Sequence, residues 1–490
     1  MTRWEFVLPL DRRTDVPLVR QIAHAIADDI RRGRLRRGDP LPGSRTLAQS
    51  LGVQRLTVVA AYDELVAEGW VVTRRARGTF VSSELPDPEP RRVARMRAAA
   101  SGMPPRAAFD VHAAPAPELP YDVPRGTLLF APSRPDVRLV PRDLIGRAYR
   151  RAIKRGGGAL LSYAAPNGHP RLRRALASML ASTRALPATA DNVCVTRGSQ
   201  MAIALLARAL TGPGDVVAVE RLGYRPAWEA FRLAGATVVG VPVDADGMRI
   251  DALARVVERH RVRAVYVTPH HQFPTTVTLS AGRRLELLEL ARAHRIAIVE
   301  DDYDHEFHYD GRPVLPLASE DVHGNVVYVG TLSKVLAPAL RIGYVVAPAD
   351  LVERIAAFRS HIDTQGDSVL EYAVAELIED GEIQRHVRRM RREYRARRDT
   401  LVSELTRQLG DHVEFELPAG GIALWVKARK GIDVDAWSRA ALKAGAVIVT
   451  ASAFAIDQRP RPFVRLGFAS LNARELAEGV RRLRAALPFR

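Results

Sequence analysis

From Leu18 onward apolar residues recur at four-residue steps, Leu18, Ile22, Ile26 and Ile30, with charged positions between them. That spacing predicts an amphipathic helix within residues 17–35, one face of which must pack against a neighbour. A second apolar set, Leu47, Ala48 and Leu51, follows Ser44, a suitable N-cap, and Gly52 permits a tight turn into a further helix starting near Gln54. After Trp70 the run VVTRRARGTFVS places two short β-forming stretches about a basic turn, which predicts a hairpin. Residues 1–82 thus read as a helix-turn-helix carrying a β wing.

The periodicity lapses over residues 83–125, where Pro, Ala and Arg dominate in strings such as ELPDPEPRRVARMRAAASGMPPR and HAAPAPELP. Proline at this density disfavours helix and sheet alike, so the stretch is expected to be a linker. Residues 126–490 follow as a second domain. Between Asn192 and Val346 the runs VCVT, DVVAVE, ATVVGVP, RAVYVTP, IAIVED, VVYVGT and RIGYVV alternate with helical segments. Such alternation predicts an α/β domain whose largely parallel sheet is covered by helices on both faces. Its large lobe is expected over about 160–350, and a helical connection with a smaller α+β lobe over about 351–490.

Composition, 47% apolar and 26% charged, is that of a globular chain and excludes a fibrous or disordered one. No apolar run approaches the roughly 18 residues a bilayer span needs, and the N-terminus has no hydrophobic signal core, so a cytoplasmic location is expected. Cys194, the single cysteine, lies in the apolar run VCV; it cannot form an internal disulfide and reads as a buried strand residue. Charge adds more: a net +18 favours an acidic polymer or surface as partner. Arginine is the habitual cation here, and the only lysines are Lys154, Lys334, Lys427, Lys430 and Lys443.

On the first domain, Gln54, Arg55 and Thr57 are the early helix positions that a recognition helix aims into the major groove, where Arg and Gln read purine edges. Arg74, Arg75, Arg77 and Gly78 form the tip of the wing, suited to phosphate or minor groove. A protein-binding module with a solvated basic turn is the alternative. Over residues 17–81 the string from PLVRQIAHAIADDI to RRARGTFV resembles the GntR-type winged helix. That resemblance implies DNA contacts at Arg45, Arg55 and Gly78; Ala76 departs from the glycine common in that wing.

On the second domain, Lys334 follows the strand VVYVG, with Thr331 and Ser333 before it and Arg341 after it. A lysine that captures an aldehyde cofactor must lie near a phosphate site, which hydroxyls and an arginine can supply. At the end of IAIVE, Asp301 suits the carboxylate that keeps a pyridine nitrogen protonated, and Tyr303 the phenol near the ring oxygen. The clustered acids there leave a metal site as the alternative; no companion ligand cluster stands out, so no metal is expected. TRGSQ, a strand end and turn before a helix, points N–H groups at an anion, with Ser199 and Gln200 as phosphate contacts or as a plain cap. Tyr224, after the next strand, is a candidate to stack on a cofactor ring.

Taken in order, TRGSQ, PGDVVAVERLGY, TPHHQFP, EDDYDHEFHYDG, GTLSKVLAPALRIGY, PAGGIALW and FVRLGFA resemble fold-type I aminotransferases, and nearly the whole chain resembles the MocR branch of GntR regulators. The resemblance implies pyridoxal phosphate bound as a Schiff base to Lys334, Arg465 as carboxylate-binding arginine, and Tyr163 reaching the phosphate of a neighbouring subunit in a homodimer. It further implies promoter DNA as partner and an amino compound as effector. Phe273 stands at the usual Asn and Thr276 at the usual Gly, so His271 is a candidate for the lost polar contact; Pro226 replaces a second arginine. A regulator that senses the cofactor is the expectation, and a working aminotransferase with an attached DNA-binding module the alternative. The basic run QRHVRRMRREYRARRD over 384–399 is expected to be a solvated helix face.

Overall fold

In the computed structural model the described residues are 10–12, 14, 16–74, 77–86, 106–111, 124–130, 134–311 and 313–488. The chain divides into two units, Met1–Ala113 and Ala114–Arg490.

In the first unit three helices, Leu18–Arg31, Ser44–Leu51 and Arg55–Ala67, precede an antiparallel hairpin of Val71–Arg74 and Gly78–Val81. Its core gathers Ile22, Ile26 and Ile30 with Leu47, Val58, Leu65 and Trp70, as the four-residue spacing requires. Gly52, at φ 61°, ends the second helix in the left-handed region where an L side chain is disfavoured. The N-cap of that helix is Gly43 rather than Ser44, which enters as its first helical residue. Local preference for serine yields there to the chain direction set by Pro42, whose carbonyl accepts a hydrogen bond from the Tyr62 hydroxyl at 2.7 Å.

The second unit is built on a seven-stranded sheet ordered Val193–Thr196, Gly343–Val346, Val326–Thr331, Ala297–Asp302, Val262–Val267, Val216–Glu220, Thr237–Val241. Gly343–Val346 runs antiparallel to both neighbours, and the other pairings are parallel. Alternate residues serve opposite faces. Val217 and Val219 pack with helices Ser199–Leu210 and Arg225–Leu233, while Val216 and Ala218 pack with Ile250–Arg259 and Ala281–His294. Burial on both faces explains why the strands read as continuous apolar runs. Cys194 is fully buried in the first of them.

A smaller antiparallel sheet, Val413–Phe415, Ala423–Ala428, Phe463–Gly467 and Val449–Thr450, packs with helices Glu382–Leu409, Val434–Lys443 and Ala473–Ala485. Two segments cross the lobe limits expected from chain order. Leu128–Leu129 pairs with Ala446–Val447, and Phe130 enters the small-lobe core. Conversely Ala349–Ser360 and Ser368–Glu379, expected in the small lobe, bury Ile355, Leu370 and Leu377 in cores of the large one. Helical periodicity tells which face is apolar and carries no information about which sheet will cover it.

The basic run is a solvated face only in part. Arg397 and Arg398 are buried; Arg397 donates to Asp136 at 3.0 Å and to the Ala469 carbonyl at 2.6 Å, and Arg398 donates to Asp310 at 2.7 Å. These guanidinium groups tie the long helix to the segments on either side, because a buried arginine needs its donors met. Among the described residues no helix is long and apolar enough to cross a membrane.

Candidate functional site

Parallel strands bring their carboxyl ends to one edge, and the expected residues collect there because each lies at the end of a strand or just beyond it. Asp301 is the last residue but one of Ala297–Asp302, Thr331 ends Val326–Thr331, and Ser199 opens the helix that follows Val193–Thr196. Asp301 is buried and accepts a hydrogen bond on Oδ2 from the Tyr266 hydroxyl at 2.6 Å. Its Oδ1 is buried without a hydrogen-bond partner among the described residues. Burial pushes the Asp301 carboxyl up to about 6, against the Tyr266 hydrogen bond and helped by the Asp302 charge. Tyr266 was not anticipated; its one signal was a polar tip in an otherwise apolar strand.

Lys334 is half-buried, and desolvation lowers its amine from the ordinary 10.5 to about 8 although Asp301 and Asp304 pull the other way. Thr331 and Ser333 are buried beside it: the Ser333 N–H donates to the Thr331 hydroxyl at 3.1 Å, and that hydroxyl donates to the Ile342 carbonyl at 3.2 Å. Arg341 reaches the start of the helix Ser199–Leu210, where its Nη2 donates to the Arg197 carbonyl at 3.0 Å. A Cβ on Gly198 would stand 2.6 Å from that Nη2, so glycine, at φ 78°, is what lets the guanidinium lie on the backbone. A guanidinium set against free helical N–H groups is an anion cradle.

Gln200, the other expected phosphate contact, has its amide nitrogen engaged elsewhere. Its amide donates to the Pro226 carbonyl at 2.9 Å and so ties two helix starts together. Tyr224 packs edge-on against Phe273 with ring centroids 5.7 Å apart, and Phe273 meets Tyr303 in the same way at 6.0 Å. Arg465 is fully buried, lies 4.6 Å over the Phe273 ring, and donates to the Pro274 carbonyl and to the Tyr303 hydroxyl. Phenylalanine at 273 therefore supplies a π face for Arg465 in place of an amide. The Tyr303 hydroxyl in turn donates to the His271 carbonyl at 3.0 Å, and His271 Nδ1 lies 2.8 Å from Asp304 Oδ1. Tyr163 stands apart on the surface of the chain, 89% exposed.

Thr276 adopts φ 67°, the left-handed region that glycine enters freely and a β-branched residue resists. Thr276→Gly is expected to raise the stability of this unit by about 1 kcal/mol, the relief of strain less the added freedom of the unfolded chain. Thermal unfolding with and without the substitution measures it.

On the first unit Arg45, Gln54 and Arg55 are exposed on the helix-turn-helix, and Arg74, Arg77 and Gly78 on the hairpin. Gly78 takes φ 107°, and the Arg74 guanidinium lies 5.4 Å over Phe80. Arg75 and Ala76 lie outside the described residues. Thr57 is half-buried and not the exposed position expected; Leu56, 75% exposed, takes that place. The helix opens at Arg55, so its rotation turns residue 56 outward and 57 toward the core side of Val58.

Comparison with known proteins agrees with both units. Residues 18–81 match the gntR family of bacterial regulatory proteins, and residues 141–483 match aminotransferase class I and II. The chain is 32% identical over 480 residues to the probable rhizopine catabolism regulatory protein MocR of Rhizobium meliloti, covering 98% of this chain and 96% of that one. It is 31% identical over 482 residues to the HTH-type transcriptional regulator TauR of Rhodobacter capsulatus, covering 96% of each. Among solved structures, α-aminoadipate aminotransferase LysN of Thermus thermophilus, complexed with N-(5'-phosphopyridoxyl)-L-leucine, aligns with TM-score 0.69 and 29% identity, over 74% of this chain and 92% of that one. The chain belongs to the class I and II aminotransferase family, in the MocR-type branch that joins this fold to a GntR-type winged helix.

Proposed function

We propose that the chain is a DNA-binding transcription regulator whose second unit holds pyridoxal phosphate on Lys334 and answers that ligand, or its adduct with an amino compound, by a change in promoter affinity. The observation that carries this reading is the meeting, in one chain, of exposed Arg45, Gln54 and Arg55 on a helix-turn-helix with a buried, half-satisfied carboxylate, Asp301, acting on a lysine of lowered basicity. Residues 1–82 serve as the DNA-binding domain, 83–125 as linker, and 126–490 as effector and dimerisation domain. The high exposure of Tyr163 supports a homodimer in which it meets the neighbouring subunit.

The residues fit the cofactor. Asp301 Oδ1 lacks a partner among the described residues and suits a protonated ring nitrogen, and the Gly198–Arg341 approach leaves a cationic surface for a phosphate. When bound, the cofactor supplies an aldehyde carbon and an electron-accepting ring. Lys334 offers the amine, Asp301 holds the proton at the ring nitrogen, and Ser199, Thr331, Ser333 and Arg341 hold the phosphate. Tyr224 and Tyr303 orient the ring, His271 acting through the carbonyl that accepts from Tyr303, and Arg465 is the cation for an effector carboxylate once its hydrogen bonds rearrange. For regulation the ligand must favour one DNA-binding arrangement, typically by about 1–3 kcal/mol.

Anisotropy titrations at fixed salt, on the DNA upstream of its own gene, test this with cofactor-free protein, loaded protein and a panel of amines. Identical promoter affinity throughout would sink the sensing role. In the same assay Arg55→Ala is expected to cost about 1–3 kcal/mol and relax the sequence preference, whereas Arg77→Ala should weaken all sequences alike and lower the salt slope by about 1. The second reading, an active aminotransferase, draws on the retained lysine and carboxylate and on the solved aminotransferase of the same fold. Turnover of amino acid and keto acid pairs at about 1 per second or faster would favour it.

A further inference from the structure

We propose that His270, His271 and His308 form a binding site for one divalent transition-metal ion of the zinc class. They come from two turns. His270 and His271 follow the strand Val262–Val267, and His308 lies beyond the strand Ala297–Asp302, bridged to Gly420 of the small lobe. One ring nitrogen from each lies within 4.8 Å of the other two. Tetrahedral zinc with Zn–N near 2.0–2.1 Å needs about 3.4 Å between ligand atoms, so small rotations of the rings close the site.

Two of the three histidines carry a buried ring nitrogen short of partners. His270 Nε2 and His308 Nδ1 are buried and unbonded among the described residues, as are one oxygen of Asp302 and one of Asp304. His270, Asp302 and Asp304 are each at least nine-tenths buried. A buried polar atom left unpaired is costly, and a cation would satisfy the nitrogens while neutralising the carboxylates. Asp304 already holds His271 through Nδ1 at 2.8 Å, which leaves Nε2 for an ion in the carboxylate–histidine arrangement of metal sites. Nothing but glycine suits position 420, because a Cβ there would stand 2.5 Å from that Nε2. Arg184, the guanidinium near Asp302 at 3.7 Å, is bound to Glu306 at 2.5 Å and does not fill the role. Three imidazoles select zinc, cobalt or nickel over magnesium and calcium, which prefer oxygen. The ion would join the turn bearing His271, which accepts the Tyr303 hydrogen bond, to the turn bearing Asp304 and to the small lobe.

The test uses the untagged full-length chain, stripped with chelator and free of pyridoxal phosphate. Zn(II) titrated against a chromogenic chelator is expected to bind at one ion per chain with Kd of ~1 µM or tighter, undisturbed by excess Mg(II). His270→Gln and His308→Gln should each weaken binding by at least about 100-fold, and His361→Gln, on the surface, should not change it. Zn(II) should raise the unfolding temperature of the parent and not of the His270→Gln, His308→Gln double variant. In the parent alone, Zn(II) should protect His308 from diethyl pyrocarbonate, a readout that does not depend on any variant folding. Absence of stoichiometric binding, unchanged binding in the double variant, or unprotected His308 would each overturn the site.

Discussion

Lys334→Ala is expected to abolish covalent capture of pyridoxal phosphate: after borohydride reduction, peptide mapping should find a pyridoxyl adduct at residue 334 in the parent and at no residue in the variant. The amine is the nucleophile only when neutral. With its value lowered to about 8, about one Lys334 in ten is neutral at pH 7 and about nine in ten at pH 9. Capture should therefore speed up nearly tenfold across that interval, whereas an ordinary lysine would still be almost wholly charged at its start. A rate flat in pH, or an adduct on Lys154 or Lys427, would contradict the assignment. Linkage gives the variant a second signature. An amine depressed on folding contributes its stability only above 10.5 and loses it as pH falls through about 8, so removing the amine should stabilise the cofactor-free chain at pH 7.

Asp301→Asn should move stability and cofactor affinity in opposite directions. A carboxyl raised from 3.8 to about 6 contributes fully below pH 3.8, and that contribution is lost as pH rises through about 6. At pH 8 the parent therefore carries a burden on the order of 3 kcal/mol that an amide, still able to accept from Tyr266, does not. The cofactor-free variant should unfold at a higher temperature at pH 8 and show less advantage at pH 4.5. Cofactor affinity should fall roughly 10- to 100-fold, the loss of a charge-assisted hydrogen bond to the ring nitrogen. Calorimetry and absorbance titration check the two halves separately; equal affinity in parent and variant would remove Asp301 from the site.

Much of this architecture was legible along the chain. Strand runs such as DVVAVE and VVYVGT lie in the sheet because apolar continuity marks burial on both faces, and Lys334, Asp301 and Ser199 share an edge because each lies at the carboxyl end of a strand or just past it. What stayed hidden involved partners distant in sequence. Arg397 and Arg398 look like the rest of a basic run until Asp136 and Asp310 are brought to them. Arg465 stacks on Phe273 across 192 positions, and no spacing rule relates the two. Thr57 turns partly inward and Leu56 outward because consecutive helical residues stand about 100° apart and the packing of the helix decides which of them faces the core.

Periodicity and turn residues by themselves determined the element types, the two-part organisation of fold and the positions where chemistry follows a strand, since these depend on neighbours within a few residues. Tertiary structure alone decided which lobe covers Ser368–Glu379, which arginines are buried, and that His308 meets the adjacent pair His270 and His271 from a second turn. Such features rest on contacts between segments far apart in the chain, whose energies appear only when the packed core has fixed the distances.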